Sequence, residues 1–329
     1  MARDEISKRA PYQMDISIII CTYNRCQSLK DTLHSLLTQD LDHGLAVELL
    51  IVDNNSSDNT KTVAEGFART TRWDVRYIFV KTQGKSYALN RAVEEARGRF
   101  LVFTDDDIIP HRDWLSVLWR AYGDMNADCA GGRILPSWSE TPHPWMLHEK
   151  IKGHIRGMWG CLDHGPHVIV ADENTDDAFL FGANMAIRRS VFQQVGFFRT
   201  DIGRTGNLLT QGEETELISR MIKKKMKVVY DPKAVVRHKI RPEQMRLSYA
   251  RMRKFYGGLS DARRLAQEIG KLPRWIIRGF LENGFKSLWG YLSFQRDIGL
   301  HYELLFWDYL GRFVGGLGLI FKGWGKQHV

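Results

Sequence analysis

The chain has 329 residues, of which 43% are hydrophobic and 26% are charged, an ordinary composition for a globular protein. Residues 1–13 are charged and lack an apolar core, and no stretch reaches the roughly 18 apolar residues of a spanning helix, so we expect neither a signal peptide nor a membrane span. Four cysteines without a CxxC pair argue against a disulfide framework or a zinc site, and favour free thiols in a reducing cytosol.

The net charge of +9 is concentrated near the C-terminus. Residues 241–329 contain 15 Lys and Arg against 7 Asp and Glu, a net of +8, whereas the first 240 residues contain 32 against 31, a net of +1. This change predicts a boundary near residue 240. We therefore expect an N-terminal tail over 1–14, a main domain over 15–240, and a basic, aromatic-rich helical region over 241–329.

The first hundred residues alternate strand and helix signals. Short apolar runs rich in β-branched residues predict buried strands, and apolar residues at helical spacing predict the helices between them. Strands separated by helices imply a parallel sheet with right-handed crossovers, so we predict an α/β fold. The predicted order is strand 16–21, helix 25–39, strand 47–52, helix 59–69, strand 75–80, helix 84–97 and strand 100–104.

Three consecutive aspartates, Asp105, Asp106 and Asp107, follow the fourth predicted strand. Like charges this close are costly unless a cation neutralises them, and hard divalent cations take oxygen ligands and often carry substrate phosphates. Polar residues also follow the first two strands, at Thr22 to Arg25 and at Asp53. Because ligands of parallel sheets bind beyond the carboxyl ends of the strands, these groups together predict a metal–diphosphate site. The alternative is a set of polar loops, with an acidic turn that caps the next helix.

The pattern after the fourth strand is less regular. Residues 137–177 have no clear period and predict a substrate-facing loop with short helices. The following segments predict strand 179–187, helix 190–195, loop 199–211, helix 213–224, and two short strands, 227–230 and 234–238, on either side of Asp231 and Pro232.

From residue 242 the pattern is helical and aromatic-rich, with Trp275, Trp289, Trp307 and Trp324 interleaved with Arg and Lys. Segment 304–321 is strongly apolar but is interrupted by Asp308 and Arg312. A basic, Trp-rich amphipathic segment suits a membrane interface. The alternative is a helical subdomain that packs on itself or on a second subunit.

Motifs over residues 15–240 resemble the family 2 inverting glycosyltransferases, which have the GT-A fold. Each motif alone is weak or moderate, whereas their order and spacing together are specific. The resemblance implies a Rossmann-like, mostly parallel sheet flanked by helices. The motifs lie at 18–25, 53–58, 103–107, 182–188, 212–217 and 231–238.

The resemblance implies a nucleotide-sugar donor, typically linked to UDP. Thr22, Tyr23 and Arg25 would line the nucleotide pocket, and Asp53 would accept a hydrogen bond from the base. Many family members have an arginine where this chain has Leu89, and Lys85 would take its place at the diphosphate. The alternative for Lys85 is a solvated lysine in the first turn of a helix. The other residues implied at the donor site are Asn90, Asp105, Asp106, Asn184 and Arg204, the last as a phosphate clamp.

The aspartates match the family's Asp-x-Asp motif, which implies a divalent metal, Mn²⁺ or Mg²⁺. Asp107 would ligate the ion, Asp105 would contact the ribose or the ion, and His238 would approach the diphosphate or the ion. The ion would neutralise charge as the sugar–phosphate bond breaks. For His238, an ordinary surface or core histidine is the alternative.

Gly212, Glu213 and Glu214 match a Gly-Glu-Asp motif whose last acid is the catalytic base. The resemblance therefore implies Glu214 as the base and Glu213 as an acceptor-binding residue or a substitute base. Two acids that stabilise a helix macrodipole are the alternative. The Gln-x-x-Arg-Trp motif of processive members lacks its Gln before Arg274, so we expect one sugar to be added per encounter.

These implications predict a saccharide or lipid-linked acceptor and a cytoplasmic protein bound peripherally to the inner, anionic face of the cell membrane. We expect no nucleic-acid partner, because the apolar, glycine-rich C-terminus suits lipid better than a phosphate backbone. A homo-oligomer formed through the C-terminal helices stays open. So do two other classes: a nucleotidyltransferase, for which residues 22–25 supply a poor phosphate loop, and a non-catalytic subunit that binds sugar nucleotides.

Overall fold

The computed structural model describes residues 14–41, 44–175, 179–206, 208–269 and 273–326. Its contacts divide the chain into two compact units, neither of which is continuous in sequence. The first unit comprises the described residues of Met1–Arg133, Asp163–Phe198 and Leu217–Val236. The second comprises those of Ile134–Leu162, Arg199–Glu216 and Arg237–Val329.

The first unit is built on four parallel strands connected by helices. β1 pairs in parallel with both β2 and β4, and β2 pairs in parallel with β3, which confirms the predicted α/β fold. The apolar runs of β1 and β2 are buried, as expected for strands covered on both faces. The elements are β1 (Met14–Thr22), α1 (Cys26–Leu36), β2 (Val47–Asp53), α2 (Thr60–Ala68), β3 (Asp74–Phe79), α3 (Lys85–Glu95) and β4 (Gly98–Asp105).

Further strands extend this sheet beyond β4. Over the described residues the strand order is β3-β2-β1-β4-β8-β6-β9-β5, with β7 paired to β9. β8 runs antiparallel to β4 and to β6. The added strands and the helices among them are β5 (Ile108–Pro110), α4 (Trp114–Gly123), β6 (Cys129–Trp138), α5 (Pro144–Leu147), α6 (Glu149–Trp159), β7 (Ile169–Val170), β8 (Met185–Arg188), α7 (Val191–Val195), α8 (Glu213–Lys223) and β9 (Val228–Ile240).

Two predicted strand assignments were wrong. The strand expected at 179–187 is shorter, because Gly182–Asn184 forms a 3₁₀ turn before β8. The two strands expected on either side of Asp231 and Pro232 are one strand, β9. Proline lacks an N–H and usually interrupts a strand, but here the Asp231 carboxylate accepts the N–H of Lys233 at 2.9 Å. The side chain thus gives the N–H that follows Pro232 a hydrogen-bond partner.

The second unit is mainly helical. Its long helices are α9 (Leu247–Ile269), α10 (Arg274–Leu292) and α11 (Arg296–Lys326). Trp159 on α6 and Leu304 on α11 belong to one buried apolar cluster with Met245 and Ala250. Among the described residues, no helix combines the length and the apolar character needed to cross a membrane.

Candidate active site

The strand register brings the predicted polar residues to one edge of the first unit. Thr22 pairs with Asp53 across β1 and β2, and Cys21 pairs with Asp105 across β1 and β4. Parallel strands align their carboxyl ends, so residues far apart in sequence become neighbours. Tyr23 follows β1 and lies half-buried at the same edge.

The three aspartates have different surroundings. Asp106 and Asp107 are 3% and 4% exposed, whereas Asp105 is only partly buried. Arg25 Nη1 lies 2.9 Å from Asp106 Oδ1 and 3.0 Å from Asp107 Oδ2. Thr22 Oγ1 donates to Asp106 Oδ2 at 2.6 Å. Arg25 therefore brings a positive charge to both buried carboxylates, and Asp106 holds Arg25 and Thr22 in place.

These contacts also determine the charge states. Burial raises the pKa of Asp106, and Asp107 acts in the same direction, although Arg25 and Thr22 oppose the rise. Burial alone would lower the pKa of Arg25, but Asp106 and Asp107 outweigh it and raise that pKa, so the guanidinium remains charged. The backbone of this turn is fixed from α1, where Thr32 Oγ1 lies 3.0 Å from the carbonyl oxygens of Asp106 and Ile108.

Lys85 is the first residue of α3 and pairs with Asp105. Its Nζ lies 3.0 Å from Asp105 Oδ1, and the two side chains are 23% and 29% exposed. A partly exposed pair of this kind can exchange one partner for a phosphate oxygen at low cost. Lys85 therefore supplies an accessible positive charge beside the aspartate motif.

Asp53 is held at both carboxylate oxygens. The N–H of Ser56 donates to Oδ1 at 2.8 Å, and the Tyr77 hydroxyl donates to Oδ2 at 2.7 Å. Burial and this hydrogen bond raise the pKa of Tyr77, so the phenol stays protonated. Each carboxylate oxygen can accept a second hydrogen bond. Asp53 is thus an oriented acceptor at the end of β2.

Asn54 connects the end of β2 to the start of α3. Its Nδ2 donates to the carbonyl of Thr82 at 2.7 Å, and its Oδ1 accepts the N–H of Gly84 at 2.8 Å. Gly84 has a φ of 140°, which a residue with a side chain rarely adopts. Together these features determine where α3 begins and where Lys85 lies.

Two residues predicted at the donor site bind backbone groups in the structure. Asn90 exchanges two hydrogen bonds with Phe198, at 2.8 and 2.9 Å. Asn184 is fully buried and accepts from Trp114 Nε1 at 2.8 Å. Its Nδ2 donates to the carbonyl oxygens of Arg133 and Ala234, at 2.9 and 2.8 Å. Both asparagines therefore position the chain around the sheet, a role that the sequence did not predict.

The predicted base lies in the second unit. Glu213 and Glu214 are the first residues of α8, and Glu213 is 2% exposed whereas Glu214 is half-buried. Gly212, with a φ of 113°, allows the sharp turn before the helix. Arg204 lies half-buried in the preceding loop. The two acids thus face different surroundings, and Glu214 is the more accessible.

A buried arginine that the sequence did not single out holds the loop before α8. Arg253, on α9, donates to Gln211 Oε1 at 2.5 Å and to the carbonyl of Leu209 at 3.0 Å. Burial lowers the pKa of Arg253, and Glu213 opposes that fall. Ser260, also on α9, accepts the N–H of Gln211 at 3.0 Å. Helix α9 therefore fixes the backbone that leads to Glu213 and Glu214.

His238 also lies in the second unit, on β9. Its Nδ1 is 2.6 Å from the carbonyl oxygen of Trp159. A carbonyl can only accept, so Nδ1 carries a proton. This hydrogen bond fixes the orientation of the His238 ring on β9.

The carboxylates fit an ion that arrives with its substrate. No group of three or more His, Cys, Asp or Glu side chains is arranged to hold a metal within the part of the chain that the structure describes. Asp105 and Asp107 are nevertheless hard oxygen donors, and Mg²⁺ is commonly held by one or two carboxylates together with substrate phosphates and water. The partial exposure of Asp105 leaves room for such a ligand.

Comparison with known proteins decides the family. Residues 17–196 match the model of Glycosyl transferase family 2, which is more than half of the chain. The chain belongs to this family. Glucosyl-dolichyl phosphate glucuronosyltransferase of Haloferax volcanii is 25% identical to this glycosyltransferase over 255 residues, which cover 75% of this chain and 76% of the relative. Membership of this family excludes the two alternative functions considered from the sequence, a nucleotidyltransferase and a non-catalytic subunit.

Solved structures support the GT-A fold of this glycosyltransferase. The mannosyltransferase PcManGT from Pyrobaculum calidifontis, in complex with GDP-Man and Mn²⁺, matches with a TM-score of 0.57 and 17% identity, over 98% of this chain and 84% of that chain. TarS 1–349 of S. aureus, in complex with UDP-GlcNAc, matches with a TM-score of 0.53 and 14% identity, over 90% and 91% of the two chains. At such low identity the likeness concerns the fold alone.

Proposed function

We propose that this glycosyltransferase moves one sugar from a UDP-sugar to a hydroxyl of a saccharide or lipid-linked acceptor, with inversion at the anomeric carbon and with Mn²⁺ or Mg²⁺. The observation that carries the proposal is the set of polar side chains at the edge of the first unit. There an oriented acceptor, Asp53, and an accessible cation, Lys85, lie at the ends of neighbouring elements beside the aspartate motif.

Asp53 suits the base of the donor. Its carboxylate is held by Ser56 and Tyr77 and can accept one further N–H, such as the ring N–H of uracil. Guanine also presents N–H groups to a carboxylate, and one of the structural neighbours is in complex with GDP-Man. The nucleotide is therefore tested with both bases.

Lys85 and the aspartates suit the diphosphate. The Lys85 ammonium would bind a phosphate oxygen, and Asp105 and Asp107 would hold the divalent ion. When bound, the ion would neutralise charge on the diphosphate leaving group. Arg25 would keep the carboxylates of Asp106 and Asp107 in position whether or not a donor is present, because it contacts both.

Glu214 is the proposed general base. It would take the proton of the acceptor hydroxyl, whose oxygen attacks the anomeric carbon from the face opposite the diphosphate. The new carbon–oxygen bond forms as the bond to the phosphate oxygen breaks. An α-linked donor therefore gives a β-linked product, and the nucleoside diphosphate leaves with the bonding electron pair.

The proposed acceptor is lipid-linked and lies at an anionic membrane on the cytoplasmic side. The name of the H. volcanii relative includes glucosyl-dolichyl phosphate, a sugar on a lipid phosphate. The net charge of +8 over residues 241–329 would steer the protein to an anionic surface, and this steering would weaken with salt. Transfer of one sugar per encounter follows from the missing Gln of the processive motif.

Replacing the base tests the mechanism. In Glu214→Gln we expect transfer to fall by about two to four orders of magnitude while UDP binding is kept, because the amide cannot take the proton. Glu216→Gln, on the same turn of α8, is the matched control and should keep its activity. Turnover of Glu214→Gln close to that of the control would contradict the assignment, and an α-linked product from an α-linked donor would contradict inversion.

A further inference from the structure

Helices α10 and α11 form an antiparallel hairpin whose contact face combines small residues with stacked aromatic rings, such as Phe280 against Phe306. A Cβ added to Gly290 would lie 2.5 Å from the nitrogen of Gly299, and one added to Gly279 would lie 2.1 Å from the Tyr309 ring. Ser287 Oγ donates to the carbonyl of Gly299 at 3.0 Å. Close backbone approach with small and hydroxyl side chains between helices is the packing that membrane proteins favour.

From residue 281 onward, the large apolar side chains of α10 point away from this contact, whereas Ile276 in the first half of the helix is buried. Leu281, Phe285, Leu288 and Leu292 recur every three or four residues, and each is between 58% and 69% exposed. Trp289 is 63% exposed beside them. A helix that is packed for water turns its large apolar residues toward its neighbour, so the second half of α10 has the reverse arrangement, with Asn283, Ser287 and Gly290 as its buried residues.

The turn after α10 adds an apolar residue in a strained conformation. Phe294 has a φ of 60° and is 90% exposed. The N–H of Phe294 bonds the carbonyl of Tyr291, and the N–H of Gln295 bonds that of Gly290, which is a Schellman motif. Its left-handed position is usually glycine, because a bulky residue is strained there. The strained position at the tip of the hairpin therefore carries an aromatic ring that is exposed to solvent.

The charged residues around the exposed apolar face of α10 indicate which partner it binds. Four basic residues are exposed on α10 and at the start of α11, namely Arg274, Arg278, Lys286 and Arg296. Two acids lie among them: Glu282 pairs with Arg278 at 2.5 Å, and Asp297 lies 3.4 Å from His148, so the basic groups are in excess. A second copy placed on this face would bring basic groups against basic groups, whereas anionic lipid headgroups complement them. The charges therefore favour a lipid surface over self-association.

We propose that the outer face of α10 and the tip at Phe294 lie in the interfacial layer of an anionic bilayer, with Trp289 and Phe285 among the acyl chains and the arginines at the headgroups. A helix with aromatic and leucine side chains on one face and basic residues beside them binds in the plane of the membrane. The inference rests on the proposed function in one respect, which is that the acceptor lies at a membrane.

A substitution at Phe294 tests the proposal through two readouts. In Phe294→Gly we expect a higher melting temperature, because glycine removes the strain, and roughly tenfold weaker co-sedimentation with vesicles of phosphatidylcholine and phosphatidylglycerol. Lys225→Gly is the matched control. Lys225 holds the same left-handed position after α8, with a φ of 57°, so its replacement should raise the melting temperature without changing vesicle binding. Vesicle binding of Phe294→Gly equal to that of the control would overturn the proposal.

A second pair of variants separates lipid from a protein partner. Phe285→Ser combined with Trp289→Ser should lose vesicle binding, whereas Phe79→Ser, at an exposed aromatic on β3 (52% exposed), should keep it. The proposal would be overturned if the wild type bound no vesicles and formed a dimer that the double variant does not form. Hydrolysis of the donor in solution is measured in parallel. The double variant should keep it, so failure of membrane binding is distinguished from failure of the proposed activity.

Discussion

At the scale of single residues, Arg25 explains how three aspartates coexist at one strand end. Like charges at this distance need a partner, and the sequence predicted a metal for that role. The structure shows that Arg25 contacts Asp106 and Asp107, while Lys85 contacts Asp105. The carboxylates are therefore paired before any donor binds, and a metal would be an addition to a cluster that is already neutralised in part.

Removing Arg25 should destabilise the first unit. Arg25→Ala leaves two buried carboxylates without their cation, which typically costs about 3 kcal/mol of unfolding free energy. The measurement is urea denaturation at neutral pH. Arg112→Ala is the control, because its pair with Asp40 is about two-thirds exposed on both sides and should contribute less than about 0.5 kcal/mol. Equal losses in the two variants would contradict the role of Arg25.

At the scale of helices and strands, the sequence predicted the part of the fold that has a simple period. β1 to β4 and their helices came from alternating apolar patterns, which reflect strands buried on both faces. The turn at Gly182–Asn184 was missed because its conformation depends on Asn184, whose partners Trp114, Arg133 and Ala234 are 50 to 70 residues away. β9 was divided because Pro232 suggested a break that Asp231 offsets.

The same limit applies to the candidate site. Motif residues such as Thr22, Asp53 and Asp105 could be selected from the sequence because they follow strands. Tyr77, Thr32 and Arg253 could not, since each acts on a residue more than 20 positions away and belongs to no motif. For the C-terminal helices, the sequence emphasised segment 304–321. Among the side chains that the structure describes, Leu304 is buried and an exposed apolar face lies on α10.

The contact between α6 and α11 should make the second unit sensitive to acid. His154 Nε2 lies 3.1 Å from His301 Nδ1, and burial, Lys254 and His301 together lower the pKa of His154 to about 3. Between pH 6.5 and about 3 the unfolded chain binds a proton that the folded chain does not. The contribution of His154 to stability is therefore present above pH 6.5 and is lost as the pH falls.

Urea denaturation of wild type and His154→Gln at pH 7.5 and 5.5 measures this effect. The wild type should lose about 1.4 kcal/mol more than the variant on acidification, because the unfolded chain holds on average about half a proton more than the folded chain over these two pH units. His111→Gln, an exposed histidine in the first unit, should lose as much as wild type. An equal loss in wild type and His154→Gln would show that His154 is not the acid-sensitive group.

At the scale of the whole molecule, the chain combines a GT-A sheet with a mainly helical unit that includes the proposed lipid-binding face of α10. The family establishes the class of reaction. The edge of the first unit supports the choice of donor, the acids at the start of α8 support the choice of base, and the face of α10 supports the location of the acceptor. These proposals fail separately, because each depends on different residues.

The most direct test of the central claim is calorimetric titration of UDP into the protein with and without Mn²⁺. We expect UDP to bind more tightly with Mn²⁺, GDP to bind more weakly than UDP, and Asp105→Asn to remove the effect of the metal. Asp113→Asn, an exposed acid before α4, should behave as wild type. UDP binding that is independent of Mn²⁺ and unchanged in Asp105→Asn, or no UDP binding at all, would contradict the account.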